Sequence, residues 1–161
     1  MIQKTTFLLT CMLIAFSKCV LCYGQIQKDT IPINKCDQIT VLISDIGEED
    51  LYKYVGQKLI EAGYTVGSAN KDFGSITTTE NISYKRRFNY FLNVNIIKST
   101  VRINGMYKMV PGLNGLAPEN GIQKITSTTA PFLADYKSLF QKMDDFAKLL
   151  GGKITYEIRT K

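Results

Sequence analysis

The chain has 161 residues, with 20 Lys plus Arg against 14 Asp plus Glu, a formal net charge of +6, four Cys, and neither His nor Trp. Without histidine there is no Ser-His-Asp or Cys-His relay, no HExxH zinc site and no imidazole pH switch. Catalysis would have to rest on carboxylates or tyrosines alone, so the composition favours a non-enzymatic role without a cofactor or metal.

Lys4, the apolar run from Phe7 to Phe16 and the mixed stretch up to Gly24 have the layout of a secretory signal peptide. The apolar core spans about ten residues, within the ~7–15 of such a leader and short of the ~20 that cross a bilayer. Cleavage is expected after Gly24. Residues 1–24 are then the leader, and the protein is exported to the periplasm or secreted, with no membrane span after cleavage. A lipoprotein leader is the rival reading, but Cys19 follows Lys18 and Cys22 follows Leu21, where a lipobox carries a small residue. Loss of Lys4 and Lys18 lowers the charge from +6 to +4 and leaves Cys36 as the one cysteine, so no internal disulfide can close.

Residues 25–37 are polar, contain Pro32 and read as a tether or edge segment; residues 38–161 read as a single domain. Ile39–Ser44 is β-rich and short enough for a core strand. Glu48, Glu49 and Asp50 place three acids in a first helical turn, where the N-terminal dipole favours them. Leu51, Val55, Leu59 and Ala62 then recur at helical spacing, and Gly63 ends the helix. Tyr64, Val66 and Ser68 alternate, residues 70–74 form a turn, and Ser75–Thr79 returns as a Thr-rich strand. Phe88, Tyr90, Leu92, Val94 and Ile96 make the strongest alternation in the chain, with Asn89, Asn93 and Asn95 pointing the other way. Lys98-Ser99 turns that strand into Val101, Ile103, Gly105 and Tyr107.

Val110–Asn120 holds two prolines and two glycines and reads as a long loop. Ile122–Thr128 is one more candidate strand. Pro131 opens a second helix with Phe132, Tyr136, Leu139, Phe140, Met143, Ala147 and Leu150 on its apolar face, and with Lys137, Lys142, Asp144 and Lys148 toward water. Gly151-Gly152 stops it, and Ile154, Tyr156 and Ile158 alternate as a last strand. Short turns between strands imply an antiparallel sheet. Two helices with one apolar face each imply packing on one side of it, an α+β two-layer sandwich of helix-grip or similar type.

The stretch from Leu51 to Tyr107 combines the helix, Gly63-Tyr64-x-Val66, Gly74-x-Ile76 and Val101-Arg102-Ile103-x-Gly105-x-Tyr107. It resembles small exported proteins of Bacteroidetes, an uncharacterised family with a TATA-binding-protein-like fold. The resemblance implies that fold and brings no activity with it. In that setting Asp29-Thr30-Ile31 matches the O-glycosylation pattern of the phylum, which makes Thr30 a candidate acceptor.

Lys85, Arg86 and Arg87 beside Phe88, Tyr90 and Phe91 form the densest basic cluster. It reads either as a polyanion contact or as a solvated turn that discourages edge pairing; at +4 on an exported chain the second reading is preferred, with no nucleic acid as partner. Asp45, Glu48, Glu49 and Asp50 lack the spacing of a calcium loop and read as helix-start charges. Met106, Tyr107, Met109 and Leu113 adjoin the long loop and form a candidate contact surface with Lys85, Arg86 and Arg87. The leading expectation is an exported domain that binds an envelope protein or a small ligand through its sheet face or the 110–120 loop. The alternatives are a helix-grip carrier of a small hydrophobic ligand and a small carboxylate-dependent hydrolase.

Overall fold

A computed structural model describes residues 35–83, 87–110, 121–127 and 134–158. The elements run β1 (Gln38–Leu42), α1 (Glu48–Glu61), β2 (Val66–Asn70), β3 (Ser75–Thr78), β4 (Asn81–Ile82), β5 (Phe88–Ile97), β6 (Thr100–Met109), β7 (Gln123–Lys124), α2 (Ala134–Leu150) and β8 (Lys153–Glu157). The strands form one sheet in the order β2-β3-β5-β6-β1-β8, with β4 beside β5 and β7 beside β6, and every pairing is antiparallel.

The period-two pattern decides which side of the sheet is apolar. In the β5–β6 hairpin Tyr90 faces Tyr107, Leu92 faces Gly105, Val94 faces Ile103 and Ile96 faces Val101. Ile39 and Val41 of β1 continue that side next to Ile103 and Val101, and Ile76 of β3 continues it next to Val94. The helices cover it. Leu51, Val55 and Leu59 of α1 are fully buried, as are Met143 and Ala147 of α2, with Leu139 and Phe146 nearly so. The expected α+β sandwich, with an antiparallel sheet and both helices on one side, is the observed one. Gly105 shows how close the layers come: a Cβ there would lie 2.5 Å from Met143 Sδ and 2.6 Å from Ile125 Cδ1. At Gly105 the space between sheet and helix is filled by side chains of this chain.

Three details correct or add to the expectations. Asp144 does not face water: it is 2% exposed and accepts hydrogen bonds from Tyr156 Oη (2.7 Å), Lys148 Nζ (2.9 Å) and Gln141 Nε2 (3.3 Å). Its position on the helix flank lets β8 bring a phenol to it, and a buried carboxylate is stable only with such partners. Residues 35–37, at the end of the expected tether or edge segment, are tied into the fold. Lys35 donates its N–H to Ser127 O, Ser127 to Cys36 O and Asp37 to Glu157 O, while Cys36 and Asp37 are buried. The added strand β4 pairs Asn81 with Tyr90 and Ile82 with Asn89, and is too short for any periodicity to reveal it. The expected helix start at Pro131 and Phe132 lies outside the described residues, as do Thr128, the leader and most of the 25–37 segment.

Gly152 carries φ +98° where α2 turns into β8, and a Cβ there would run into the carbonyl oxygen of Leu42. The left-handed conformation alone costs a non-glycine residue about 1–2 kcal/mol, and here the obstacle is backbone that cannot rotate away. Gly152→Ala is expected to lower the unfolding free energy by at least ~2 kcal/mol, read from the urea midpoint at unchanged m-value. A loss below ~0.5 kcal/mol would rule out this close approach.

Two tyrosines of the core predict an alkaline limit. Tyr64 packs edge-on to Tyr90 and Phe146, and Tyr107 edge-on to Phe88 and Tyr136; both are 6% exposed. Burial first, and the neighbouring phenols second, hold both hydroxyls well above the ordinary tyrosine range. The folded state therefore keeps protons that the unfolded chain releases near pH ~10. Stability is fully present below that pH and falls as pH rises through it. Urea unfolding at pH 8 and pH 11 should show the drop, and a Tyr64→Phe/Tyr107→Phe double variant should show a shallower one; equal slopes would refute the assignment.

Candidate functional site

On the side of the sheet away from α1 and α2, the register aligns polar side chains into rows. One row crosses the sheet: Thr77 of β3 faces Asn93 of β5, Asn93 faces Asn104 of β6, and Gln38 of β1 follows next to Asn104 and faces Glu157 of β8. Asparagine is disfavoured inside strands, yet β5 holds Asn89, Asn93 and Asn95, and β6 holds Asn104.

The hydrogen bonds in this row stop short of its centre. Thr77 Oγ1 donates to Asn93 Oδ1 at 3.0 Å, so the oxygen of Asn93 is engaged and its Nδ2 is left over. Gln38 Nε2 donates to Glu157 Oε2 at 2.6 Å and to Thr40 Oγ1 at 3.4 Å, which uses both of its hydrogens. Between them Asn104 is 5% exposed, and its Oδ1 accepts no hydrogen bond. Among the described residues it is the one buried side-chain polar atom without a partner. A buried acceptor left in this state costs roughly 1–3 kcal/mol.

Asn104 lines a depression of about 370 Å³ with Thr77, Asn93, Asn95, Met106 and Lys124 among its walls. That volume lies within the ~300–1,000 Å³ of small-ligand sites. The walls are neutral amides, hydroxyls and a thioether. The cation at the rim is compensated, since Lys124 Nζ lies 3.0 Å from Asp37 Oδ2. Further along the same side Lys108 pairs with Glu80 and holds that carboxyl below the usual range, chiefly through their hydrogen bond. A second depression, about 270 Å³, lies where α1 begins, between Glu48, Glu49 and Tyr52 and the β2–β3 turn with Lys71, Asp72 and Phe73. The acids there do what a helix start needs, because Gly47 supplies no side-chain cap. Among the described residues no group of three His, Cys, Asp or Glu comes together to hold a metal.

Of the residues anticipated as a contact surface, Met106, Tyr107, Met109 and Arg87 lie in the described part of the chain. Met106 lies on the helix-free side and lines the depression. Tyr107 is corrected to a core residue: the alternation of β6 turns it to the helix side, where its Oη donates to Gln123 Oε1 at 2.5 Å. Met109 is half-buried and packs against the same core. Arg87 is exposed, and its Nη1 lies 3.0 Å from Asp135 Oδ2. Lys85, Arg86, Leu113 and Thr30 lie outside the described residues, as does the loop after Val110. The Asn93–Asn104 pair was not among the anticipated site residues. Its trace in the sequence is the run of asparagines on the polar phase of β5; the register that brings Asn104 opposite Asn93 is not a local property.

No family model matches the sequence, and comparison with curated proteins gives no match. Among solved structures the chain is similar to a TBP-like protein from Parabacteroides distasonis, at 14% sequence identity and a TM-score of 0.41, over 76% of this chain and 98% of that one.

Proposed function

We propose that this protein is an exported, non-enzymatic binding module of the cell envelope that takes its ligand in the Asn104 depression on the helix-free side of the sheet. The observation that carries the reading is the orphaned Asn104 Oδ1, a buried acceptor that the chain itself leaves without a donor, in a residue that lines the depression. Buried polar atoms without partners are rare, and each demands a reason. Export rests on the leader-like residues 1–24, and the non-enzymatic character on the absence of histidine. The described part of the chain is in keeping with it, since no described helix is long and apolar enough to cross a membrane.

The alternatives find less support. A hydrophobic carrier needs room between sheet and helix, which Met143 and Ile125 occupy at Gly105. A carboxylate-dependent hydrolase needs paired acids, and the depression has no Asp or Glu in its lining. A polyanion such as nucleic acid needs clustered free cations, whereas Arg87, Lys108 and Lys124 each face a carboxylate and Arg102 stands alone opposite Asn95.

A residue kept for binding at the expense of folding has a diagnostic signature. Asn104→Leu removes the unpartnered acceptor, so it should raise the unfolding free energy by about 1 kcal/mol in urea titrations. The same change should abolish the shifts of the Asn93 and Asn95 side-chain amide signals that a small-molecule extract of the native envelope produces in the wild-type protein. A variant destabilised by more than ~1 kcal/mol would assign Asn104 a purely structural bond; an extract that moves no signal on this side of the sheet would remove the proposal.

A further inference from the structure

Resting on that reading, we infer that the ligand is a saccharide, laid along the β5–β6 hairpin across Asn93, Asn95, Asn104 and Arg102. Three successive rungs of the hairpin turn their side chains to the helix-free side: Phe91 opposite Met106, Asn93 opposite Asn104, and Asn95 opposite Arg102. At about 3.4 Å per residue these rungs cover roughly 14 Å. Their free polar groups are dense. The oxygen of Asn93 is taken by Thr77, which leaves its Nδ2. Asn104 holds Oδ1 beneath the surface and leaves Nδ2, the end that reaches the depression, without a hydrogen bond. Neither end of the Asn95 amide is bonded, and Arg102 is exposed with no carboxylate partner among the described residues.

Two adjacent rungs thus present four polar side chains with unpaired groups. An extended peptide does not match that density, because its N–H and C=O turn to one edge only at every second residue. A sugar ring carries hydroxyls on neighbouring carbons. A hydroxyl both donates and accepts, so it serves an amide at either end, and it serves Asn104 whichever way that amide turns about its broad χ2. Neighbouring hydroxyls also match the fork of donors on Arg102. Phe91 is half-buried on the same side, diagonal to Asn104, and its ring and Met106 supply apolar surface for the C–H face of a sugar. Other classes fit less well. An acyl chain would leave the four polar side chains without partners, and a phosphate backbone would meet the one free cation, Arg102, since Lys124 is held by Asp37.

The test titrates the ¹⁵N-labelled mature chain with chitotriose, maltotriose and trigalacturonate, and follows the side-chain amides of Asn93, Asn95 and Asn104 and the Nε–H of Arg102. At least one trisaccharide is expected to shift all four signals saturably at ~millimolar concentration, where glycerol at equal hydroxyl concentration and acetyl-(Ala)₄-amide shift none. A response to trigalacturonate alone would pair Arg102 with a carboxylate and a response to the neutral sugars would pair it with hydroxyls; both support the assignment. Arg102→Gln should weaken that binding at least ~10-fold and Phe91→Leu at least ~3-fold, each with an unchanged urea midpoint. Binding untouched by both substitutions would overturn the placement along the hairpin. Shifts by the tetrapeptide with none by any sugar would overturn the saccharide assignment and leave the binding site standing. Silence toward all three trisaccharides would overturn the assignment as well, and the envelope extract experiment then decides the site itself.

Discussion

The register of the β5–β6 hairpin is the constraint on which the rest depends. Ten residues of each strand pair in unbroken order from Phe88↔Met109 to Ile97↔Thr100. Because side chains alternate with period two, that one alignment sets both sides of the sheet at once. It places Tyr90, Leu92, Val94 and Ile96 against Tyr107, Gly105, Ile103 and Val101 to make the apolar side, and it places Asn93 against Asn104 on the other. A slip by one residue would put asparagines under the helices and the aliphatic row into water. The hairpin is held in register although Lys98 takes φ +54° in its turn, a conformation unfavourable for lysine. The buried row supplies the free energy that tolerates it.

The strain of the helix-free side is offset by the fit of the helix side. Consecutive residues of β6 divide the two tasks. Gly105 has no side chain and lets Met143 and Ile125 close over the strand, while Asn104 beside it points away and stays unsatisfied. A core in which Leu51, Leu59, Met143 and Phe146 are at most 1% exposed has the reserve to carry one orphaned acceptor, whose cost of roughly 1–3 kcal/mol is a substantial share of a domain's net stability. Local departures from good folding rules are expected where a protein is built to do something else, and asparagine in strand interiors is such a departure.

Much of the fold was legible because it is written in periodicity. The alternation from Phe88 to Ile96, the acids and aliphatics of Glu48 to Leu59 and the double glycine after Leu150 each specify an element from a short window of sequence. Asp144 was misread because helical spacing places it on a flank, and only β8 returning beside α2 brings Tyr156 to it. Tyr107 was misread as contact surface because nearness to a loop was weighed above its phase on β6, which is that of Ile103 and Gly105. The site was legible by half. The polar phase of β5 was visible, but the pairing of Asn93 with Asn104 depends on where the Lys98-Ser99 turn closes, and the exhaustion of Gln38 depends on Glu157, 119 positions away along the chain.

Charged groups beside the depression are engaged within the chain. Lys124 is matched by Asp37, Lys108 by Glu80, and Gln38 rather than a cation is turned to Glu157. Arg102, opposite Asn95 on β6, is exposed and stands outside these pairs. The polar lining holds the amides of Asn93, Asn95 and Asn104, with the buried Asn104 Oδ1 left without a donor, beside the thioether of Met106. Directional hydrogen bonds discriminate by geometry, because a ligand that misplaces its donor leaves Asn104 as unsatisfied as it was before binding. In the proposed site, discrimination rests on whether a ligand can satisfy that buried oxygen.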